Sequence, residues 1–427
     1  MIRKYFETPT DLLRTRWPNM VADNHALEQV WTIVDKVRVE GDAALTGYTE
    51  EFDGVRVEPG ELEVGTDEME EAYSGVTEDQ IAALNEAKRR LEAVESARLK
   101  GLDLTVELDG VNVRGTFKPL HRVGCYVPGG GAAYPSSLIM SVTPARVVGV
   151  SEVIVCTPPG RDKRINPLTL VAADICGVDR LFRVGGAQAI AAMAYGTGTV
   201  PRVDKIVGPG NRYVTAAKVI VSEAVAIDKP AGPSEVLVLA DDASDPRLIA
   251  LDMISQAEHG PGGLVGLITT SLRVVENVER LLYELVDEVP RGDVVRDVLG
   301  SGGFMYVAES LDQAVEFVNA FAPEHLEVLT EEPSNVARMV TSAGLILLGP
   351  YTPVASTDYC MGANHILPTG GYARVSSGTT ALDYLKPLTI VESTKDGLES
   401  VRKHILVLSE AERLPNHGLA VDGRFRP

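Results

Sequence analysis

Short apolar segments alternate with amphipathic helical segments along most of the chain, and this alternation predicts its architecture. Apolar runs that precede helical segments lie at residues 123–127, 152–156, 180–184 and 204–207. The same order restarts with runs at 235–239, 264–269, 303–307, 326–330 and 344–348. Strands that alternate with helices form parallel sheets covered on both faces. We therefore predict an α/β fold with two wound parallel sheets.

The two ends of the chain have different patterns. Amphipathic runs at residues 25–46 and 77–99 predict helices, and Thr77 and Gln80 have the spacing of a capping box. Beyond Gly378 helix-forming residues dominate, so we predict a helical C-terminal tail that docks elsewhere.

A turn dipeptide, Asp109-Gly110, separates two apolar runs at 104–108 and 111–117. Asp-Gly readily adopts the primed turn that joins antiparallel strands. We predict a hairpin between the N-terminal helices and the first parallel sheet.

The composition restricts the classes of partner. The 427 residues include 60 acidic and 40 basic side chains, a formal charge of −20. Such a surface repels phosphate and anionic lipid, so we expect neither nucleic acid nor membrane as a partner. We see no signal peptide and no apolar stretch of the roughly 18 residues that a membrane helix needs, and expect a cytoplasmic protein. The four cysteines form no C-x-x-C pair, which argues against a disulfide framework.

Glycine-rich segments follow three predicted strands, at residues 127–131, 185–186 and 208–211. Glycine lets backbone N–H groups approach a phosphate, and the N-terminus of a helix adds partial positive charge. None matches G-x-G-x-x-G or the Walker pattern, and each alone also fits a plain turn. Parallel sheets bind ligands beyond the carboxyl ends of their strands, so we expect site residues in the loops that follow the strands, and the three segments together predict a nucleotide crevice there.

Gln256 and His259 are the first candidate metal ligands, because they lie three residues apart on one face, near the end of a predicted helix. Zinc accepts imidazole nitrogen and side-chain oxygen, and Asp358 and His417 are available to complete its coordination. A histidine at a helix end also serves as a cap partner, so the spacing alone leaves both interpretations open.

Two further segments concentrate polar side chains. Glu324 and His325 lie between a predicted helix and the strand at 326–330, and an imidazole there is suited to proton transfer near neutral pH. A surface acid beside a buried histidine is the alternative. The segment 358–365, interpreted as a loop after the last strand, carries Asp358 and His365 and also indicates a site.

Six segments together resemble the histidinol dehydrogenase family in order and spacing, and 364–369 continues the match. The likeness extends from the first helices to His417, and six segments are more specific than any single motif. The segments are Tyr126-Val-Pro-Gly-Gly, Gly185-Gly-Ala-Gln, Asp204-Lys-Ile-Val-Gly-Pro-Gly-Asn, Asp228-Lys-Pro-Ala-Gly-Pro-Ser-Glu, Gln256-Ala-Glu-His and Ala322-Pro-Glu-His.

The resemblance implies a zinc- and NAD-dependent oxidation of L-histidinol through L-histidinal to L-histidine. It implies that His325 is the general base and that Glu324 activates the water that adds to the aldehyde. The implied zinc ligands are Gln256, His259, Asp358 and His417. The implied NAD-binding residues are Tyr126, Gln188 and Asn211, and Ser234 and Glu412 would contact substrate together with His325 and the zinc ligands.

The resemblance also implies incomplete Rossmann-like domains and a homodimer whose C-terminal tails are exchanged between active sites. The alternative is a monomer in which the C-terminal tail completes the active site of its own chain. We predict an N-terminal helical arm at 1–22, an α/β domain with most metal and substrate residues at 23–120 plus 228–376, a nucleotide-binding α/β domain at 121–227 and a tail at 377–427.

The chain departs from the family pattern at three places, near Thr357, near Thr379 and at Arg413, the last of which stands where glycine is usual. A sister dehydrogenase acting on another small alcohol, such as a sulfonated diol, is therefore an alternative. A zinc hydrolase and a catalytically silent scaffold are alternatives from other classes. A hydrolase would lack the H-E-x-x-H motif and would leave the glycine-rich segments unexplained.

Overall fold

Helices dominate the N-terminal region of the computed structural model, which describes residues 2–16, 24–129, 133–229 and 232–425. The predicted arm at 1–22 is therefore described only in part, and residues 130–131 of the first glycine-rich segment lie outside the described residues. The elements are β1 (Arg3–Tyr5), α1 (Thr10–Arg14), α2 (Asn24–Glu40), α3 (Asp42–Asp53), α4 (Thr66–Ala72) and α5 (Glu78–Arg98).

Two local predictions in this region have different outcomes. Thr77 caps α5, and its hydroxyl accepts the N–H of Gln80 at 3.2 Å, so the predicted capping box is confirmed. The single helix predicted at 25–46 is wrong, because Gly41 has a φ of 59° and separates α2 from α3. Glycine adopts this conformation at little cost and so permits the break.

The predicted hairpin is confirmed. It joins β2 (Leu104–Leu108) to β3 (Val111–Pro119) in antiparallel pairing. Asp109 and Gly110 have φ values of 50° and 82°, and a type I′ turn requires positive φ at both central residues.

The first parallel sheet has the strand order β6-β5-β4-β7-β8, and all its pairs are parallel. Successive strands extend in opposite directions from β4, so a crevice opens between the loops that follow β4 and β7. The elements are β4 (Arg122–Tyr126), α6 (Pro135–Val147), β5 (Glu152–Thr157), α7 (Pro167–Cys176), β6 (Arg180–Arg183), α8 (Gly186–Tyr195), β7 (Lys205–Val207), α9 (Arg212–Val221) and β8 (Ala226–Ile227).

The second parallel sheet repeats this winding, in the order β1-β11-β10-β9-β12-β13, with β1 added at one edge. Its elements are β9 (Glu235–Ala240), α10 (Pro246–Ala257), β10 (Leu264–Thr269), α11 (Leu272–Leu285), α12 (Gly292–Gly302), β11 (Gly303–Val307), α13 (Leu311–Phe321), β12 (His325–Leu329), α14 (Pro333–Met339), β13 (Leu345–Leu348) and α15 (Val354–Tyr359).

Separate apolar clusters fill both faces of each parallel sheet, which explains the continuous apolar runs of the strands. Every residue of β9 is buried, for example. Burial of one Leu, Ile or Phe side chain stabilises the fold by about 1.5–3 kcal/mol. The strands are therefore rigid supports for any residue at their ends.

The predicted helix-rich C-terminal tail is confirmed, but a strand that was not predicted precedes its helices. This strand, β14 (Leu385–Ser393), pairs antiparallel with β3 in a three-stranded sheet of order β14-β3-β2. Two helices follow, α16 (Lys395–Ala411) and α17 (Pro415–Asp422). Within the described ranges, every helix is too short or too polar to serve as a membrane span.

Candidate functional site

A cavity of about 940 Å³ lies between the two parallel sheets and collects most of the predicted site residues. One wall comes from the loops after β4 and β7 of the first sheet. The other comes from residues at the starts of β9 and β12 and from the segments after α10 and within α15. Its polar lining includes Tyr134, Ser137, Asn211, Ser234, Glu235, His259, Glu324, His325, Asp358 and His365.

The two sheets contribute opposite edges to this cavity. The first sheet presents the carboxyl ends of its strands, as predicted, whereas Glu235 and His325 are the first residues of β9 and β12. The expectation that site residues follow their strands is therefore wrong for the second sheet. At its carboxyl edge, the Asp241 side chain accepts the N–H groups of Ala243 at 3.0 Å and Glu331 at 2.7 Å and closes the gap between β9 and β12.

His325 is buried, and its two ring nitrogens have different surroundings. Nδ1 lies 3.0 Å from the carbonyl oxygen of Glu235 and 3.6 Å from a carboxylate oxygen of Glu324. A carbonyl oxygen can only accept, so we assign the ring proton to Nδ1. Nε2 is buried without a hydrogen-bond partner among the described residues. It is therefore the ring atom available to take a proton from a bound molecule.

Glu324 and His325 form a coupled ionisable pair. Burial raises the pKa of Glu324. Burial also acts to lower the pKa of His325, but the carboxylates of Glu324 and Asp358 outweigh it and raise that pKa to about 9. The pair therefore retains a proton near neutral pH and releases it at alkaline pH, as a site for proton transfer requires.

A buried ion pair that the sequence analysis missed lies behind Glu324. Arg16 donates two hydrogen bonds to the carboxylate of Glu235, at 2.6 and 2.7 Å. The backbone N–H of Glu235 in turn donates to Glu324 at 2.7 Å. This bidentate pair gives Glu235 a fixed position, and Glu235 then orients both Glu324 and His325.

Arg16 also holds the turn that leads to these two residues. Its Nε donates to the carbonyl oxygen of Phe321 at 2.9 Å, and its guanidinium lies 3.9 Å from the centre of the Phe321 ring. The next residue, Ala322, has a φ of 52°, in the left-handed region that costs a residue with a Cβ about 1–2 kcal/mol. No local sequence signal connects Arg16 with a turn some 300 residues away.

Three of the four predicted metal ligands lie on neighbouring elements. Gln256 is in the last turn of α10, Asp358 is in α15, and His259 lies beyond the end of α10. The predictions that Gln256 and His259 share one helical face and that Asp358 lies in a loop are therefore wrong. The amide oxygen and nitrogen of Gln256 are both buried without a partner among the described residues.

These three side chains offer donors that suit a divalent metal. His259 is accessible from the cavity yet surrounded by protein, and this desolvation lowers its pKa while Asp358 acts in the opposite direction. A neutral imidazole and two side-chain oxygens fit the ligand preferences of zinc. No group of three His, Cys, Asp or Glu that could hold a metal is found among the described residues, so the donor set of this chain depends on Gln256.

His365 supports Asp358 and is a second residue whose role the sequence analysis did not assign. Its Nδ1 lies 2.8 Å from the carbonyl oxygen of Asp358, and its Nε2 lies 3.3 Å from the hydroxyl of Ser137. It thereby connects the candidate metal ligand with α6, a helix that packs on the first parallel sheet. The density of polar residues at 358–365 was the only sequence signal for it.

The predicted NAD-binding residues lie at the carboxyl edge of the first sheet. Asn211 lines the cavity and caps α9, since its side chain accepts the N–H groups of Tyr213 and Val214. Tyr126 and Gln188 are buried behind the cavity wall. The hydroxyl of Tyr126 accepts the N–H of Gly186 at 3.1 Å, and Oε1 of Gln188 has no partner among the described residues.

Gly208 allows the loop after β7 to pass close to β4. Its φ is 123°, and a Cβ at this position would lie 2.1 Å from the carbonyl oxygen of Tyr126. Only glycine can keep the loop at 208–211 in this position.

Glu412 and His417 are not brought to the cavity in this chain. Both are exposed, at the end of α16 and within α17, and neither lines the cavity. The structure therefore collects Ser234, His259, Glu324, His325 and Asp358 and leaves the two tail residues apart from them.

The three departures from the family pattern also lie outside the cavity lining. The buried hydroxyl of Thr357 donates to the carbonyl oxygen of Val354 at 2.7 Å, and Thr379 is buried with no exposed surface. Arg413 has a φ of 58°, so it adopts the left-handed conformation that glycine adopts easily.

Comparisons with known proteins agree on one family. The histidinol dehydrogenase family profile matches residues 18–425. The histidinol dehydrogenase of Methanosarcina mazei is 42% identical over 430 residues, with 100% of this chain and 99% of that protein covered. That of Methanopyrus kandleri is 44% identical over 403 residues, covering 93% and 94%.

A solved structure supports the same assignment and confirms the predicted fold class. The crystal structure of histidinol dehydrogenase from Elizabethkingia anophelis matches with a TM-score of 0.94 and 35% identity, covering 99% of this chain and 98% of that one. The chain therefore belongs to the histidinol dehydrogenase family, oxidoreductases of histidine biosynthesis.

Proposed function

We propose that this chain uses NAD to oxidise L-histidinol through L-histidinal to L-histidine, a four-electron oxidation, with zinc anchoring the substrate. The observation that carries this proposal is the position of His325. Its Nδ1 is held by Glu235 and Glu324, its buried Nε2 has no partner among the described residues, and its side chain lines a cavity bounded by the glycine-rich edge of the first sheet. A base of this kind is what the release of hydride from a carbinol carbon requires.

The proposed zinc ligands are Gln256, His259 and Asp358 of one chain, together with His417 of a C-terminal tail. The unpartnered amide of Gln256 supports this assignment, because a buried amide without partners costs free energy unless a ligand satisfies it. When bound, zinc would hold the substrate's imidazole and amine, and NAD would accept one hydride in each of the two oxidations.

The chain's own residues perform the proton chemistry. His325 Nε2 takes the hydroxyl proton of L-histidinol as hydride leaves the same carbon. After His325 has released this proton to solvent, Glu324 removes a proton from the water that adds to the aldehyde. His325 then takes the hydroxyl proton of the resulting hydrate as the second hydride leaves. The burial of both side chains excludes bulk water from the reacting carbon.

We further propose that Tyr126, Gln188 and Asn211 hold NAD at the crevice between β4 and β7, and that Ser234 contacts substrate. The buried and unpartnered Oε1 of Gln188 supports this, as does the N-terminus of α9 beneath Asn211. We also propose a cytoplasmic location, which suits the four free cysteines because thiols stay reduced in the cytoplasm.

The proposed assembly is a homodimer in which Glu412 and His417 of each tail complete the active site of the other subunit. The exposed apolar residues of the antiparallel sheet and of α16 and α17 support it, because a partner chain would cover them. They include Leu104, Val106, Leu108, Ile390, Val391, Val407, Leu408 and Leu419.

Subunit complementation tests this assembly. His259→Ala and His417→Ala chains are each expected to be inactive, whereas co-expression should restore about a quarter of the sites, since half the dimers then have one intact site. No restoration would show that each tail serves its own subunit.

Spectroscopy tests the reaction. L-histidinol should reduce two NAD per molecule, and a zinc chelator should abolish this activity. The departures at Thr357 and Thr379 lie outside the cavity lining, which favours L-histidinol over the substrate of a sister enzyme. Turnover of a sulfonated diol in preference to L-histidinol would contradict the proposal, and amide cleavage without NAD would indicate a hydrolase.

Two variants test the catalytic roles. His325→Asn should slow hydride release by about 100-fold or more while zinc stays bound, as removal of a general base predicts. Glu324→Gln should slow the oxidation of histidinal more than that of histidinol. An unchanged rate for either variant would refute the corresponding role.

A further inference from the structure

A pair of carboxyl groups lies behind the cavity, and no step of the proposed reaction uses it. Glu327 follows His325 by two residues on β12 and is 1% exposed. Asp252 is half-buried on α10, four residues before Gln256. The two carboxyl groups are within hydrogen-bonding distance of each other. Two carboxylates can form this bond only when one of them carries a proton.

Glu327 connects three elements of the site. One of its oxygens accepts the N–H of Val354, the first residue of α15, at 2.6 Å. The other, Oε2, is buried and meets no hydrogen-bond donor among the described residues, as expected for an oxygen that faces a second carboxyl group. Through Asp252 the same side chain reaches α10, which packs against α15. A single side chain of β12 is thus bonded to both helices that lead to the candidate metal ligands.

The charges around the pair favour one shared proton. Burial and the neighbouring Asp252 raise the pKa of Glu327 to about 8, while the Val354 N–H and His325 act to lower it. Burial likewise raises the pKa of Asp252, to about 6. Near neutral pH the pair therefore carries one proton and one negative charge.

We propose that the Asp252–Glu327 pair shares one proton and fixes the spacing of α10 and α15. The ligands carried by these helices and by the turn after α10 can then reach a single zinc ion, so this inference rests on the metal site proposed above. Neither residue touches the substrate or the metal, and both act as positioning residues.

Substitutions at Glu327 test the pair through zinc affinity, measured by competition with a chromophoric chelator on the full-length protein. Glu327→Leu removes both hydrogen bonds and should weaken zinc binding about 10- to 100-fold. Glu327→Gln should stay within about threefold of the parent, because its amide donates to Asp252 and accepts from Val354 without a shared proton. Glu95→Leu is the matched control, since Glu95 is also buried but lies near Ala381, away from the site.

A second pair of variants keeps the test decisive if Glu327→Leu fails to fold. Asp252→Ala breaks the connection to α10 and retains the bond to α15, so it should also weaken zinc binding. Asp252→Asn can donate to Glu327 and should bind zinc as the parent does. Equal zinc affinity for the Ala and Asn variants would overturn the proposal.

The pH dependence separates a shared proton from a merely structural contact. As pH rises through about 8, both carboxyl groups of the parent ionise and repel each other. Its zinc affinity should then fall relative to Glu327→Gln, which has no proton to lose. If the ratio of the zinc affinities of the parent and Glu327→Gln does not change with pH, the proposal of a shared proton is wrong. If His259→Ala leaves zinc affinity unchanged, the proposed metal site is wrong and this inference is wrong with it. If His259→Ala weakens zinc binding but Glu327→Leu does not, only the role of the Asp252–Glu327 pair is refuted.

Discussion

Removal of Arg16 should both destabilise the fold and disturb the positions of Glu324 and His325. Arg16 and Glu235 are only 3% and 5% exposed and are joined by two short hydrogen bonds. Loss of one partner from a buried pair leaves an uncompensated charge and costs about 3–5 kcal/mol. We therefore expect Arg16→Met to lower the free energy of unfolding by about that amount and to reduce kcat, since Glu235 orients Glu324 and His325.

Equilibrium urea unfolding, followed by circular dichroism, measures this cost. Arg38→Met is the matched control, because the ion pair of Arg38 with Asp35 is exposed and such pairs contribute about 1 kcal/mol or less. Adding Glu235→Gln to Arg16→Met should recover part of the stability, because the buried negative charge is then absent. If Arg16→Met costs no more than the Arg38 variant, or the double variant recovers nothing, the reasoning about the buried charge is wrong.

Three other predictions follow from backbone geometry and charge. Gly208→Ala should cost about 1–3 kcal/mol and weaken NAD binding, because its Cβ would meet the carbonyl oxygen of Tyr126; unchanged melting and NAD titrations would contradict this. Arg413→Gly should raise the free energy of unfolding by about 0.5–1 kcal/mol, and a decrease would show that Arg413 is not strained. The hydride step should accelerate as pH rises towards about 9, where His325 loses its proton, and Glu324→Gln should shift this profile to lower pH. An identical profile in the variant would remove Glu324 as the cause.

The strands predicted for the two parallel sheets agree with the structure to within about a residue, because each is a continuous apolar run between helical segments, whereas β1 and the two-residue β8 were missed. The strands that were missed have weak local signals. β1 is only three residues long and pairs with a strand some 300 residues later. β14 contains Pro387, which argues against a strand, but β14 is an edge strand and edges tolerate proline.

The sequence predicted only those site residues that have a reactive side chain and match a motif of the family. His325, Glu324 and the residues near Asp358 had polar signals of their own, and the structure places them in one cavity. Arg16 and Asp252 had none, because their roles arise from contacts across the fold. Which edge of the second sheet faces the cavity was also unpredictable, since it depends on how the two parallel sheets are arranged around the cavity.

The parallel pairing of β9 with β12 makes the distance between Glu235 and His325 a property of the sheet itself. In the register of these strands His325 is opposite Val236, and neighbouring strands are about 4.8 Å apart. The imidazole of His325 therefore cannot move away from the carbonyl group of Glu235 without disrupting the sheet. Helix ends and the tail carry the remaining ligands, and these can shift more cheaply. Evolution towards a new alcohol would accordingly alter the helices and the tail and leave the strand-borne machinery intact.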